Sequence, residues 1–437
     1  MASQVATGLY NRLAEEFAGR EQKDNTDELY RKQAFATFQS KGFPSIKEED
    51  WRFTNLVPYL DNTVFGTTLS VETVDLKQIV AQNSIPGVDA YKLVLVNGSI
   101  DFSLSVLPDA SLVTIQPLKN VAGSDYFKAH IDTRDHVGST ALTALNTAFF
   151  VDGYYIEVAK SAVIDKPIHL LQVYVAGDNT FFQPRNMVVV RKFGQAEIIE
   201  QSVVVKGDSV LVTNSLSDFI LEENAYLKHY NIQNNHKNER WLNGVHISQE
   251  KDSRYDNFTV SLPGADLIRN NLEISLNGSA TETFLYGLYL VANRQLTDNH
   301  TAIHHIHPNC NSSELYKGVI MENGKAVFNG KVYVDRIAQK TNAYQQNNNL
   351  LLSDKATLHA KPQLEIFADD VKCSHGCTMG QFDNESLFYL RSRGIGEAAA
   401  KNLLVEAFAF DVTDKIENQG IKEYIQGLIY EKLGAMN

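Results

Sequence analysis

Residues 272–290 read LEISLNGSATETFLYGLYL, and residues 350–367 read LLLSDKATLHAKPQLEIF. Each is a run of strand-forming residues, a short polar corner and a second run. Similar runs lie at Leu170–Val175, Met187–Val190, Ile198–Val205 and Val210–Thr213, rich in β-branched residues and divided by Gly, Asn and Asp. Strand signals of this kind dominate from about residue 90 to 380. A purely parallel α/β fold needs a crossover helix between successive strands, and few helical stripes interrupt residues 160–375, so that class is disfavoured. Asn-Gly pairs at 277–278, 323–324 and 329–330 suit either hairpin turns or the tight corners of a solenoid. The two quoted segments are only loosely alike. Spacing alone therefore leaves a β-helix and a sandwich about equally favoured.

Helical patterns flank this zone. Val5, Leu9, Leu13 and Phe17 recur at four-residue spacing, and Leu29, Tyr30, Ala34, Phe35 and Phe38 form a second stripe before Pro44. Ser45 and Glu48 have capping-box spacing. After about 385, Leu387, Phe388, Leu390 and Ile395 lead into Ala399, Leu403, Leu404, Ala407 and Phe408; Ile421, Ile425, Leu428, Ile429 and Leu433 complete a last stripe. The broad apolar face near Leu403–Phe408 must pack against the chain's own β region or against another protein. The expected organisation is an N-terminal helical or mixed domain (1–90), a β core (91–380) and a C-terminal helical domain (381–437).

The 437 residues carry a formal charge of -12 and contain no basic run, which argues against nucleic acid as a partner. Three cysteines are too few for a secreted disulfide scaffold of this size. The first residues, MASQVATGLYNRLAEEF, lack the charged-then-apolar order of a signal peptide. No run approaches the ~18 apolar residues that span a bilayer. The expectation is a soluble, reduced, cytoplasmic protein that does not contact a membrane.

Cys373-Ser374-His375-Gly376-Cys377 is the first candidate for chemistry, because thiolate and imidazole are the usual ligands of zinc and of iron–sulfur clusters. On an extended strand, Cys373 and His375 share a face with Cα atoms ~6.5–7 Å apart, while Cys377 lies ~13 Å from Cys373 unless Gly376 turns the chain. The alternative is a pair of small core cysteines and a hydrogen-bonded loop histidine. Asp298-Asn299-His300, His304-His305-Ile306-His307 and Cys310 form a second cluster that fits no standard zinc spacing, so structural roles are favoured for it. Gly394-Ile395-Gly396-Glu397-Ala398-Ala399 grazes a dinucleotide fingerprint, but a helical segment precedes it where a strand is needed; it reads as a helix–helix joint. There is no phosphate-binding P-loop and no nucleophile elbow.

The text of residues 330–410 resembles the SufB/SufD family of iron–sulfur cluster assembly scaffolds. The matching segments are Lys331–Val334, Gln339–Gln345, Asn349–Ser353, Lys361–Ile366, Asp369–Gly376, Leu387–Leu390 and Ser392–Ile395, in the family's order. Phe43-Pro44, Glu49–Thr54 and Gly380-Gln381 resemble its SufD branch. The resemblance implies a right-handed parallel β-helix between N- and C-terminal helical domains. It implies a non-catalytic scaffold subunit working with a SufB-like scaffold and a SufC-like ATPase, and a homodimer when isolated. It implies a transient iron–sulfur cluster at the interface with the SufB-like partner, none being stably bound to the isolated chain. His375 and then Cys373 match the ligand positions. Cys377 stands where the family usually has Ala, and it and Cys310 are weaker candidates. Phe388, Arg393, Gly394, Leu403, Leu404 and Phe408 fall on the helices that the family uses to hold the ATPase. The rival is a β-helix carbohydrate-active lyase or hydrolase using the His300–His307 region; it lacks a paired-acid signature.

Overall fold

The structure, a computed structural model, describes residues 2–21, 29–60, 63–65, 74–132, 140–177, 179–205 and 209–434. Its centre is a parallel β-solenoid of about eight turns. Each turn contributes one strand to each of two sheets. The first sheet runs Tyr154–Val158, Arg185–Val190, Leu211–Leu221, Glu239–Gln249, Leu267–Leu276, Leu296–His305, Lys325–Val334 and Thr357–Ile366. The second runs Ile168–Val175, Gln195–Val205, Tyr226–Gln233, Arg254–Ser261, Glu282–Val291, Asn311–Ile320, Thr341–Leu351 and Val371–Gly380. Registers such as Leu272↔Thr301 and Ile303↔Val332 place each residue on its counterpart one turn later.

Parallel stacking requires corners in place of hairpins. Many corners are set by one residue in the left-handed region: Asn224, Asp252, Ala280, Asn293, Asn309, Glu322 and Lys340 have φ between 51° and 64°. Asn277-Gly278 and Asn323-Gly324 lie at such corners. Asn329-Gly330, in contrast, sits inside the strand Lys325–Val334, so the turn expected there is corrected. A Cβ on Gly330 would lie 2.3 Å from Gln345 Nε2. This glycine is needed for close packing across the solenoid interior, not for a turn.

The interior core runs the length of the solenoid, from Ile156 and Ile168 through Phe219, Leu227 and Ile274 to Tyr316 and Phe328. The outer face of the first sheet is covered by the N-terminal helices. Leu9, Leu13, Phe17, Phe35 and Phe38, with the helix Thr140–Phe149, pack onto Phe181, Val212, Leu242, Leu267 and Val327. Val5's side chain lies outside the described residues. The helix Thr140–Phe149, like Asp125–Asp132, falls within the stretch read from sequence as strand-rich. Ser45 and Glu48 form only part of a capping box: the Ser45 N–H donates to Glu48 Oε1 at 2.8 Å, and a short 3-10 turn, Glu49–Trp51, follows. The outer face of the second sheet is covered by Glu397–Thr413 and Gln419–Gly434, through Val405, Ala409, Val412, Ile421, Ile425 and Ile429 on Tyr230, Phe258 and Leu288.

Candidate functional site

Val371–Gly380 is the last strand of the second sheet and, among the described residues, pairs on one side only, with Thr341–Leu351. The register sets Ala343 beside Cys373, Gln345 beside His375 and Asn347 beside Cys377. Ala343, Gln345 and Asn347 are buried, while Tyr344 and Gln346 between them are exposed. Side chains alternate along a strand and in-register neighbours share a face. Cys373, His375 and Cys377 therefore lie on the inner face of the last turn. No strand among the described residues continues either sheet past this turn, so the inner face opens as a mouth. His375 is exposed there and both cysteines are half-buried. The facing strand contributes Leu358, Ala360 and Leu364, which pack on the solenoid's apolar clusters.

The strand is unbroken through Gly376, so Cys373 and Cys377 stay ~13 Å apart and cannot bond. Both are free thiols. Cys373 packs against Val332, Val334, Ala343 and Ala368. Burial pushes its thiol pKa up, with a backbone hydrogen bond from Ala343 pulling the other way; burial also raises Cys377. Each thiol therefore holds its proton at neutral pH. Among the described residues, no three His, Cys, Asp or Glu side chains converge as a metal site.

The turns beneath the mouth are polar. Gln345 Nε2 donates to Glu314 Oε2 at 2.7 Å. Glu314 is fully buried, and burial pushes its carboxyl up to about 7 against hydrogen bonds from Thr301 and Gln345. Asn347 Nδ2 donates to the Tyr289 hydroxyl at 2.9 Å, and Asn349 Nδ2 to Asn347 Oδ1 at 2.7 Å. Sequence reasoning quoted Gln345 and Asn349 as matching text but gave them no role. The signal that places them is the register, because each lies one turn before a residue of the terminal strand.

The second cluster is divided between faces. His305 is buried in the interior, where burial holds its pKa at about 3 and Nε2 meets Ser312 Oγ at 2.9 Å. His304 is on the outer face, 3.2 Å from Asp335. His300 meets Asp298 at 2.8 Å, and Asp298 also accepts from Thr54 at 2.5 Å and pairs with Arg269. The Arg269 guanidinium lies 3.7 Å from the Trp51 ring centroid. The Glu49–Thr54 segment is thus a strap over the first sheet. His300 lines a cavity of about 170 Å³ beside it, with Glu49, Asp50 and Glu273. Cys310 is fully buried, its thiol bonded to the carbonyls of Gly278 and His307 at 3.4 and 3.2 Å.

At the C-terminus, the Asp383 carboxylate accepts from the Glu385 and Ser386 N–H groups and starts the helix Asn384–Ser392. Gly394, with φ 86°, and Gly396 join it to the next helix, as the joint reading expected. Phe388, Arg393, Gly394 and Leu403 are exposed and Leu404 is half-buried. Phe408 instead packs on the chain's own solenoid, with Lys317 Nζ 4.3 Å from its ring centroid and 2.9 Å from its carbonyl oxygen.

A family model described as "SUF system FeS cluster assembly, SufBD core domain" matches residues 173–408, and the "SufBD protein N-terminal region" matches residues 7–170. The chain belongs to the SufB/SufD family. An iron–sulfur cluster assembly SufBD family protein of Synechocystis is 34% identical over 391 residues, 85% of this chain and 84% of the relative. The iron–sulfur cluster assembly protein SufD of Escherichia coli is 29% identical over 402 residues, 90% of each chain. That of Bacillus subtilis is 27% identical over 297 residues, 67% of each. The family places the chain in SUF-type iron–sulfur cluster assembly, on a SufD-like branch, and sets the carbohydrate-enzyme reading aside. No helix among the described residues is long and apolar enough to cross a membrane.

Proposed function

We propose that this chain is a non-catalytic, cytoplasmic scaffold subunit that works with a SufB-like scaffold and a SufC-like ATPase to build and transfer nascent iron–sulfur clusters. The observation that carries the reading is the exposure of His375 on the open inner face of the last solenoid turn, with Cys373 one inward position away. A complete site would seal these ligands inside the chain. An edge strand with unpaired backbone groups instead suits extension by a partner. The cluster is cargo, held transiently between subunits and not kept by the isolated chain. His375 ligates iron as a neutral imidazole, which favours a higher cluster potential than an all-thiolate set. Cys373 supplies a second donor after losing its proton.

The exposed Phe388, Arg393, Gly394 and Leu403 form the surface offered to the ATPase, whose binding of ATP shifts the subunits and opens the interface. The isolated chain pairs with a second copy. The test is co-expression with the SufB-like and SufC-like chains, purification of the complex and anaerobic cluster loading. His375→Ala is expected to leave the complex intact and to lose most of the cluster absorbance, with a smaller loss for Cys373→Ser. Unchanged loading by His375→Ala would remove the assigned role, and failure of the three chains to co-purify would remove the partners.

A further inference from the structure

We propose that Gln345 is a positioning residue for His375: its side-chain carbonyl accepts a hydrogen bond from the imidazole N–H and leaves the other ring nitrogen bare at the mouth. The inference rests on the reading of His375 as an iron ligand. It follows from four observations. Gln345 lies directly beside His375 in the parallel ladder, on the same inner face, with rungs about 4.8 Å apart. Its residue is only 3% exposed. Its Nε2 is committed to Glu314, one turn deeper, which fixes the amide's orientation. Its Oε1 is buried and has no hydrogen-bond partner among the described residues, so it is open to the imidazole N–H when the exposed His375 ring turns inward.

A buried carbonyl with no donor keeps an uncompensated desolvation cost, so an in-register N–H on the next rung has a site waiting for it. Gly330 makes the arrangement possible, because any Cβ there would strike the Gln345 amide. A neutral imidazole has one donor and one acceptor nitrogen, and the hydrogen bond made by the donor decides which nitrogen is left for metal. Ligating histidines are commonly oriented through their second nitrogen in this way. The file Glu314–Gln345–His375 thus runs from the solenoid interior to the exposed ligand.

The test is two-bond proton–nitrogen correlation spectroscopy on the full chain labelled with ¹⁵N-histidine, at a pH where imidazoles are neutral, using His375→Ala to assign the signal. Wild type is expected to show His375 as a single tautomer, and Gln345→Leu to show an average of the two. The double exchange Gln345→Glu with Glu314→Gln keeps both the link and an acceptor, and is expected to restore the single tautomer. Mixed tautomers in wild type would overturn the proposal whether or not any variant folds. So would a single tautomer persisting in Gln345→Leu, or a double exchange that folds by circular dichroism without restoring it. Cluster loading by His375→Ala is a separate readout. If it is unchanged, the ligand role fails, while the tautomer result still decides whether Gln345 orients the ring.

Discussion

At the scale of single residues, one feature of the candidate site was legible in the sequence. Alternation along a strand put Cys373 and His375 on one face, and the register agrees. Which face was inner could not be read, because the solenoid interior is not uniformly apolar: Glu314, Gln345, Asn347 and Asn349 occupy inward positions. A polar residue at every second position looks the same whether it meets solvent or a buried hydrogen-bond file. Glycine was ambiguous in the same way. Gly287 is an interior strand residue whose Cβ would lie 2.2 Å from the Tyr316 ring, whereas a Cβ on Gly376 would meet nothing within 4 Å. Gly287→Ala is therefore expected to destabilise the chain by about 2 kcal/mol through overpacking. Gly376→Ala should stay within about 0.5 kcal/mol of wild type. Urea midpoints of the two variants check this, and equal midpoints would show that Tyr316 moves aside freely.

At the scale of elements, the strands and flanking helices followed from β-branched runs and apolar stripes, but their stacking did not. The repeat is blurred because its length drifts. Tyr226↔Arg254 and Arg254↔Glu282 are offset by 28 residues, and Asn311↔Asn342 by 31. Its corners also use residues that carry no turn signal, such as Ala280, Glu322 and Lys340 in the left-handed region. The wide apolar stripe of Glu397–Thr413 has two uses. Val405, Ala409 and Val412 pack on the second sheet, and Leu403 remains outside. Lys317 secures this docking from the solenoid side, buried beneath Phe408 and paired with the largely exposed Asp411. Exposure of Asp411 screens that pair, so the bond to the Phe408 carbonyl is the larger part. Lys317→Met should loosen the helix by about 1 kcal/mol. Amide exchange should speed up across 397–434 while the solenoid strands keep their protection. Uniform acceleration over the whole chain would mean that the helices and the solenoid open as one unit.

At the scale of the whole molecule, a solenoid is a column in which each turn is stabilised by its neighbours, so a strained group inside it is felt by the stack. Glu314 is such a group. Tyr316 follows it on the same strand, Gln345 lies on the next turn, and Thr301 faces it from the other sheet. Its carboxyl titrates at about 7 in the fold because of burial, well above the usual ~4.3 of an unfolded glutamate. Between those values the folded state holds a proton that the unfolded state has released. Stability from this group is therefore greatest below about pH 4 and declines as pH rises through 7. Asp298 behaves oppositely. Burial opposes its ionisation, but Arg269 and His300 hold it well below the usual carboxylate range, so its contribution is lost only in acid. The two windows do not overlap. Glu314→Gln keeps an amide in place of the carboxyl and removes the titration. Its Tm relative to wild type should climb from pH 5 to pH 8, by an amount corresponding to about 3 kcal/mol. A Tm difference that stays flat across that range would show that Glu314 is solvated inside the column.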